Sequence, residues 1–167
     1  MIPVLPGRAQ DTVLVATAVG AGAAGGVFFA FSSFVMRALG KLPSNDGLRA
    51  MQAINVAAPA PAFMALLFGT ALGAVVVGTS ALTRRGEVAA TYELAGSALY
   101  LASILVTVAY HVPRNDALAE VEPGSSRSAD AWADYLTGWT RWNHGRTGLA
   151  LAAAGALTVA VRLRSQA

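Results

Sequence analysis

The sequence has no cysteine, a single lysine and two histidines, and charged residues make up only 13% of its 167 residues. The absence of cysteine excludes disulfides, thiolate metal ligands and cysteine nucleophiles. A soluble domain carries about 25% charged residues, so a chain with half that share has too little charge to cover a surface exposed to water. Because 55% of the residues are hydrophobic, the composition indicates an integral membrane protein.

The basic residues lie singly or in pairs beside apolar runs, as Arg84-Arg85 and Arg162 with Arg164 do. This arrangement is typical of contacts with lipid headgroups, so we expect membrane lipids and not nucleic acid as partners, despite a net charge of +3. The arginine pairs beside helix ends favour cytoplasmic termini. The alanine-rich, lysine-poor composition favours a bacterium with GC-rich DNA, and hence the bacterial cell membrane.

Four apolar segments are long enough to cross a hydrocarbon core, which needs about 20 residues. The predicted helices lie at about 11–38, 51–82, 92–112 and 131–163, in a single domain over residues 1–167. The first run is longer than the apolar region of a signal peptide, about 7–15 residues, so it is interpreted as a retained helix. Small residues recur every four positions in this helix and predict the face that other helices approach closely. They are Ala18, Gly22, Gly26 and Ala30.

Prolines divide the long second run, because Pro59 and Pro61 each remove an N–H donor and clash with an earlier carbonyl. Residues 51–57 are therefore predicted to cap the membrane face, and residues 60–82 to cross it. Pro113 is expected to end the third helix, followed by an extramembrane loop and amphipathic segment.

Short connections predict an all-α, up-down-up-down four-helix bundle. Helices one and three then end, and helices two and four begin, at the same membrane face. Polar residues collect at that face and predict one pocket there. They are Ser32, Ser33, Asn55, His111, Arg114, Asn115, Asp116, Arg141, Asn143, His144 and Arg146.

The stretch 139–147 concentrates the polar chemistry of the last apolar segment. On a helix, Trp139, Trp142, Asn143 and Arg146 share one face. A belt of aromatic and cationic side chains at the membrane surface explains the tryptophans and arginines. It does not explain Asn143 and His144, so a functional site and a belt both stay open at this point.

One interpretation of these residues is acid–base chemistry without a metal. Neutral His144 could take a proton from an acidic carbon or phenol, and nearby donors could hold the resulting oxyanion in a site shielded from water. The candidate donors are Arg146, Arg141, Asn143, Asn115 and Asn55. The candidate aromatic walls are Trp142, Trp139, Phe31 and Phe34. His111 and Asp116 are further candidates for substrate contacts, although Asp116 after Pro113 is more typical of a helix cap.

A second interpretation is a redox centre. His111 and His144 could bind haem or a transition metal, and with Asp116 they would make the facial triad that holds non-haem iron. Against this, the sequence has no His-x-x-x-His or Glu-x-x-His pair. We therefore expect no metal and no cofactor, with the metal or haem site as the alternative.

Three features of the sequence resemble the anthrone oxygenase-like family of small four-helix membrane proteins. They are Asn55 ahead of a proline-interrupted helix, the run Val112–Leu118, and Trp139-x-x-Trp142-Asn143-His144-x-Arg146-Thr147. The resemblance implies oxidation of an anthrone to an anthraquinone with molecular oxygen, without a conventional cofactor, in aromatic polyketide pathways. The matching positions are Asn55, Pro113, Asn115, Asp116, Trp142, Asn143, His144 and Arg146. One position departs from the family pattern, because His111 stands where relatives are expected to carry Asn.

The sequence thus predicts a membrane monooxygenase that converts a planar phenolic or anthrone-like aromatic into a quinone with O2. His144 would assist deprotonation, and Arg146 with the asparagines would stabilise the oxyanion. The alternatives are a non-catalytic membrane protein that binds a lipid or partner at the polar face, and the haem or metal redox protein. The small-residue faces also allow a homo-oligomer.

Overall fold

The computed structural model describes residues 7–166, and these residues form helices and connections without a strand. Four helices are long and apolar enough to cross a membrane, which confirms the predicted fold class. They are α1 (Gly7–Leu39), α3 (Pro61–Leu82), α4 (Val88–Ala119) and α5 (Ser128–Arg164). A shorter helix, α2 (Ser44–Ala57), lies between the first two.

The four long helices pack as a bundle in which α1 and α4 each contact both α3 and α5. Successive long helices run in opposite directions, as predicted, with α2 in the first connection and shorter connections after α3 and α4. Small side chains fill the centre of the bundle around Tyr100 and Phe28. Alanines at such positions let helix backbones approach closely within a membrane.

The break between α2 and α3 lies where the prolines predict it. The residue before Pro61, Ala60, is extended, as a residue before proline must usually be, and Pro61 occupies the first turn of α3, where its missing N–H is not needed. The helix α2 starts earlier than predicted, at Ser44, and packs across the end of the bundle against α5 and α4. Its Leu48 and Met51 are buried in an aromatic cluster with Trp132, Tyr135 and Trp139 of α5.

Pro113 was expected to end the third crossing helix, and this prediction is wrong. Helix α4 continues to Ala119, and a π-helical turn at Thr107–His111 precedes the proline. In this turn the N–H of Val112 bonds to the carbonyl of Thr107, five residues earlier. The extra residue shifts the backbone just before Pro113, which accommodates the ring that would clash in a regular α-helix.

Helix α1 contains a second π-helical turn, at Phe31–Val35. Both π-helical turns lie near the C-terminal end of a long helix. Because α1 and α4 run in the same direction, both turns are at the end of the bundle that α2 covers. Such turns are rare and are frequently found at functional sites.

The buried face of α1 differs from the predicted small-residue face. Ala21, Ala24 and Gly25 are buried, whereas Gly26 is exposed. A Cβ added at Gly25 would lie 2.7 Å from Cδ2 of Leu151, while none of the described atoms lies within 4 Å of one added at Gly26. The predicted face is therefore correct at Ala18, which is buried, and at Gly22, which faces Ala154, but wrong at Gly26.

The opposite end of the bundle is closed by ion pairs. Glu93 is 1% exposed and accepts hydrogen bonds from Arg84 at 2.6 Å and Arg164 at 3.3 Å, and Arg164 also pairs with Asp11 at 3.0 Å. Burial lowers the pKa of Arg84, but the hydrogen bonds and charges of Glu93 and Glu87 raise it, and the pKa lies above its usual value. This cluster joins the start of α1, the α3–α4 connection and the end of α5.

Candidate functional site

Asn143 on α5 is the centre of a buried polar network beside the two π-helical turns. Its side chain is fully buried, and its Nδ2 donates to the carbonyl of Phe28 at 2.8 Å and to the hydroxyl of Ser32 at 2.7 Å. The Ser32 hydroxyl lies 3.1 Å from that of Thr147, which donates to the carbonyl of Asn143 at 2.7 Å. Asn143 therefore ties α5 to α1.

Arg146 lies one turn further along α5 and is 7% exposed. Its Nε donates to Oδ1 of Asn143 at 2.7 Å, and one terminal nitrogen donates to Thr107 on α4 at 3.3 Å. The guanidinium carbon lies 4.1 Å from the centre of the Phe28 ring and 5.1 Å from that of Trp139. Within residues 7–166, no carboxylate forms an ion pair with it. Only two of its five N–H donors are used, so an uncompensated cation with spare donors lies among aromatic faces.

His111, the last residue of the π-helical turn in α4, is 1% exposed. Its Nδ1 lies 3.3 Å from the carbonyl of Val106, and on its other side the buried ring faces the backbone of Trp139. The edge of the ring meets Trp139, with the ring centres 4.9 Å apart. His111 and Arg146 thus both contact the Trp139 indole.

Asn115 links this network to the end of the bundle. Its Oδ1 accepts from the hydroxyl of Tyr135 at 2.8 Å and from Nε1 of Trp139 at 3.0 Å. Asn55 on α2 donates to the same tyrosine hydroxyl at 3.4 Å. These bonds make one chain of polar side chains from α2 through α4 to α5.

A groove of about 670 Å³ opens beside Asn55 and Asn115, between α2, the last turns of α4 and the loop that follows. Val56, Pro59 and Val112 supply apolar lining. Its carboxylates make no ion pair within the described part of the chain. They are Asp116, Glu120 and Glu122, here called the groove carboxylates. The groove is of a size that suits a small molecule, since ligand sites typically enclose about 300–1,000 Å³.

Most of the predicted site residues meet in this network or at the groove. The members are Asn143, Arg146, His111, Trp139, Asn115 and Asn55, with Phe31, whose ring centre lies 5.6 Å from that of Trp139. Asp116 is exposed in the groove wall, where its predicted capping role has no side-chain bond in support.

Four predicted residues lie outside the network. His144, Arg141 and Phe34 are exposed, and Trp142 is 46% exposed and stacks on Tyr110, with ring centres 4.8 Å apart. His144 is exposed because of its position on the helix. It follows Trp139 by five residues, which turns its side chain by about 140° from the face that carries Trp139.

The structure adds residues that the sequence analysis did not assign to the site, namely Tyr135, Thr107 and the Phe28 carbonyl. Tyr135 could have been found, because it precedes Trp139 by one turn on the stripe that continues through Asn143 and Arg146. The roles of Thr107 and Phe28 depend on helix packing and have no sequence signal of this kind.

The facial triad considered from the sequence is not formed. Over residues 7–166, no group of three or more His, Asp or Glu side chains lies close enough to hold a metal ion. His111 is buried in the bundle, whereas His144 is exposed.

Comparison with known proteins gives one match. The model of the family described as anthrone oxygenase matches residues 59–156, which include α3, α4 and most of α5. Neither the curated proteins nor the solved structures contain a match. The matched residues make up more than half of the chain and include Asn115, Asn143 and Arg146. The chain therefore belongs to the anthrone oxygenase family.

Proposed function

We propose that the protein is a membrane oxygenase that converts a planar, anthrone-like phenolic aromatic into a quinone with O2. The observation that carries this proposal is Arg146, a buried guanidinium that has no carboxylate partner among the described residues and lies close to two aromatic rings. A protein retains such a cation in a membrane interior mainly where it has a function. A negative charge that appears on the substrate only during the reaction would balance the positive charge of Arg146.

The overall reaction consumes one O2 per substrate. A base removes a proton from the methylene carbon opposite the ketone, and the electron pair of that C–H bond delocalises onto the ketone oxygen as an enolate. The enolate carbon transfers electrons to O2 and forms a C–O bond, which gives a hydroperoxide after protonation. Removal of the second proton from that carbon breaks the O–O bond, so the products are the quinone and water.

Arg146 suits stabilisation of the enolate. Donors that are already oriented, in a site shielded from water, stabilise a developing oxyanion more strongly than water does. Asn143 fixes the guanidinium through the 2.7 Å bond to Nε, which leaves the remaining N–H donors for the enolate oxygen. Trp139 and Phe31 would supply flat apolar contacts for the aromatic rings.

The groove is the proposed route for the substrate. Its apolar lining and its position at the bundle end suit a flat hydrophobic molecule that arrives from the membrane. Asn115 and Asn55 would bind the phenolic oxygens at the groove and release Tyr135 and Trp139 as the substrate moves inward. The substrate and O2 are the proposed small-molecule partners, and a homo-oligomer stays a prediction.

The test is oxygen uptake and quinone formation from anthrone by the purified protein in detergent, with variants of the cation. Arg146→Gln should lower kcat/KM by about 100-fold or more, the loss expected for a deleted oxyanion donor. Arg146→Lys keeps the charge but not the paired donors, and should retain part of the activity. The matched control is Arg162→Gln, which removes an exposed arginine from the far end of the same helix.

A second variant is Asn143→Asp, which has nearly the same size but loses the Nδ2 donor to the Phe28 carbonyl, so thermal unfolding in detergent must first show that it is folded. The new carboxylate would pair with Arg146 and neutralise the cation, so turnover should fall while the guanidinium stays in place. Full activity in both Asn143→Asp and Arg146→Gln would refute the role of the cation. Binding of anthrone without any quinone in the wild type would instead indicate a non-catalytic ligand-binding protein.

A further inference from the structure

A second surface lies outside the polar network, on the seam between α4 and α5. It consists of Tyr110 and Arg114 of α4 and of Arg141 and Trp142 of α5. The rings of Tyr110 and Trp142 stack, with their centres 4.8 Å apart and their planes 28° from parallel. The guanidinium carbon of Arg114 lies 5.3 Å from the centre of the Tyr110 ring, within the range of a cation–π contact. The two rings, here called the aromatic plate, therefore bridge the two helices.

Gly138 leaves the room that the aromatic plate needs. The Tyr110 hydroxyl passes over this glycine, and a Cβ added there would lie 2.8 Å from the hydroxyl oxygen. Arg141 and Trp142 follow Gly138 by three and four residues, so they are its neighbours on the helix surface. Both Arg114 and Arg141 are exposed. The plate is thus flanked by one arginine from each helix.

The positive charge of these two arginines is not neutralised by the protein. Within residues 7–166, neither of them forms an ion pair. The exposed Asp134 is on the same side of α5, but it precedes Arg141 by seven residues and is about 10 Å away along the helix axis, towards the water. On α4, Asp116 follows Arg114 by two residues, which turns it by about 200° into the groove wall.

The seam becomes apolar deeper in the bundle. Val106 lies one turn before Tyr110 on α4, and Leu149 lies two turns after Trp142 on α5, and both are partly exposed. Between them, none of the described atoms lies within 4 Å of a Cβ added at Gly145. The surface therefore carries cations and aromatic rings at the membrane face, where tyrosine and tryptophan meet lipid headgroups, and an open apolar strip below them.

We propose that this surface binds one anionic phospholipid, with its phosphate between Arg114 and Arg141 and an acyl chain along Val106 and Leu149. Guanidinium groups bind phosphate oxygens through paired, charge-assisted hydrogen bonds. Basic residues between membrane-spanning helices recognise anionic lipid headgroups in this way. The choline of a phosphatidylcholine would place a further cation beside two arginines, so charge complementarity favours a lipid such as phosphatidylglycerol. The inference does not depend on the proposed oxygenase function.

The two interpretations of the stretch 139–147 then apply to different faces of one helix. Asn143 and Arg146 point into the polar network, whereas Arg141 and Trp142 face the lipid. The aromatic and cationic belt and the buried site are therefore both present.

The test uses the fluorescence of Trp142, which is 46% exposed, whereas Trp132 and Trp139 are each 3% exposed. The wild-type signal minus that of Trp142→Phe isolates the emission of this residue. Two sets of proteoliposomes contain the same minority of phosphatidylglycerol in phosphatidylcholine, with bromine on the acyl chains of one lipid or of the other. Because bromine quenches tryptophan on contact, the two quenching levels give the preference of the surface for one lipid over the other.

The wild type should prefer phosphatidylglycerol by about tenfold or more, because each arginine near a membrane surface contributes about fivefold. Arg114→Gln and Arg141→Gln should each lower this preference by about fivefold, and the double variant should show none. The matched control is Arg49→Gln, which removes an exposed arginine of α2 at the same end of the bundle and should leave the preference unchanged. All three positions are exposed, and circular dichroism checks that each variant is folded.

Three results would overturn the inference. The first is quenching of Trp142 by the two lipids in proportion to their mole fractions, which would indicate ordinary bulk lipid. The second is a preference that survives the double variant, or one that falls equally in Arg49→Gln, since either would indicate a diffuse attraction to the whole membrane face. The third is a Trp142 that neither brominated lipid quenches, which would indicate that another protein chain covers the surface.

Discussion

Replacing Asn143 with Ala should cause a large loss of stability, because this side chain makes three buried hydrogen bonds at once. Two neutral bonds, to the Phe28 carbonyl and to Ser32, contribute about 0.6 kcal/mol each in a membrane interior. The bond from Arg146 involves a charge and contributes about 1.5–3 kcal/mol. The stranded carbonyl and Nε add a desolvation cost, so the free energy of unfolding should fall by about 3–5 kcal/mol.

The assay is reversible unfolding in mixed detergent and SDS micelles, followed by circular dichroism. Thr158→Ala is the control, because Thr158 is an exposed residue of the same helix and bonds only to its own helix, at Ala154. This control should change stability by less than about 0.5 kcal/mol.

A double-mutant cycle separates the bond between Asn143 and Arg146 from the rest. The coupling free energy of Asn143→Ala with Arg146→Met should be about 1.5–3 kcal/mol. If Asn143→Ala costs less than 1 kcal/mol, or if the two changes are additive, the buried network does not stabilise this end of the bundle and the reasoning is wrong.

Three further predictions concern other parts of the molecule. Glu93→Gln should lower the free energy of unfolding by about 1.5–3 kcal/mol, since the charge-assisted bonds from Arg84 and Arg164 become bonds to a neutral amide while Glu87 and Asp11 still pair with these arginines; a midpoint of SDS unfolding within error of wild type would contradict this. Gly25→Ala should destabilise by about 1–3 kcal/mol because the new methyl group meets Leu151, whereas Gly26→Ala should be neutral in the same unfolding assay. Anthrones with a carboxylate should have lower kcat/KM than neutral ones, because the groove carboxylates repel them, and added salt should reduce the difference.

The number of helices and their order could be predicted from the sequence, because crossing a membrane requires long apolar runs and allows few topologies. The face that each helix buries could not be predicted in α1. Its residues are apolar or small on every side, so the buried Gly25 and the exposed Gly26 look alike in the sequence. The contrast between polar and apolar faces that reveals a soluble helix is absent in such a segment.

The site was predictable where polar residues interrupt an apolar helix. Asn143 and Arg146 are polar residues three positions apart near the start of an apolar run, and both lie in the buried network. His144 is their neighbour in sequence but not on the helix surface, so proximity in the chain was misleading. The position of His111 depends on a π-helical turn, which follows from Pro113 and from helix packing together, and no periodicity of the sequence shows it.

The buried guanidinium also has a consequence for biosynthesis. Arg146 lies just before the apolar run of α5, and α5 has the lowest mean hydropathy of the four spans. An arginine in a crossing helix opposes translocon-mediated insertion, by up to about 2.5–3.5 kcal/mol in the middle of the span and by less towards its end. The groups that contact it, Phe28 and Thr107, belong to helices that leave the ribosome earlier. The last helix should therefore enter the bilayer efficiently only beside a bundle that is already partly assembled, and expressed alone it should remain outside.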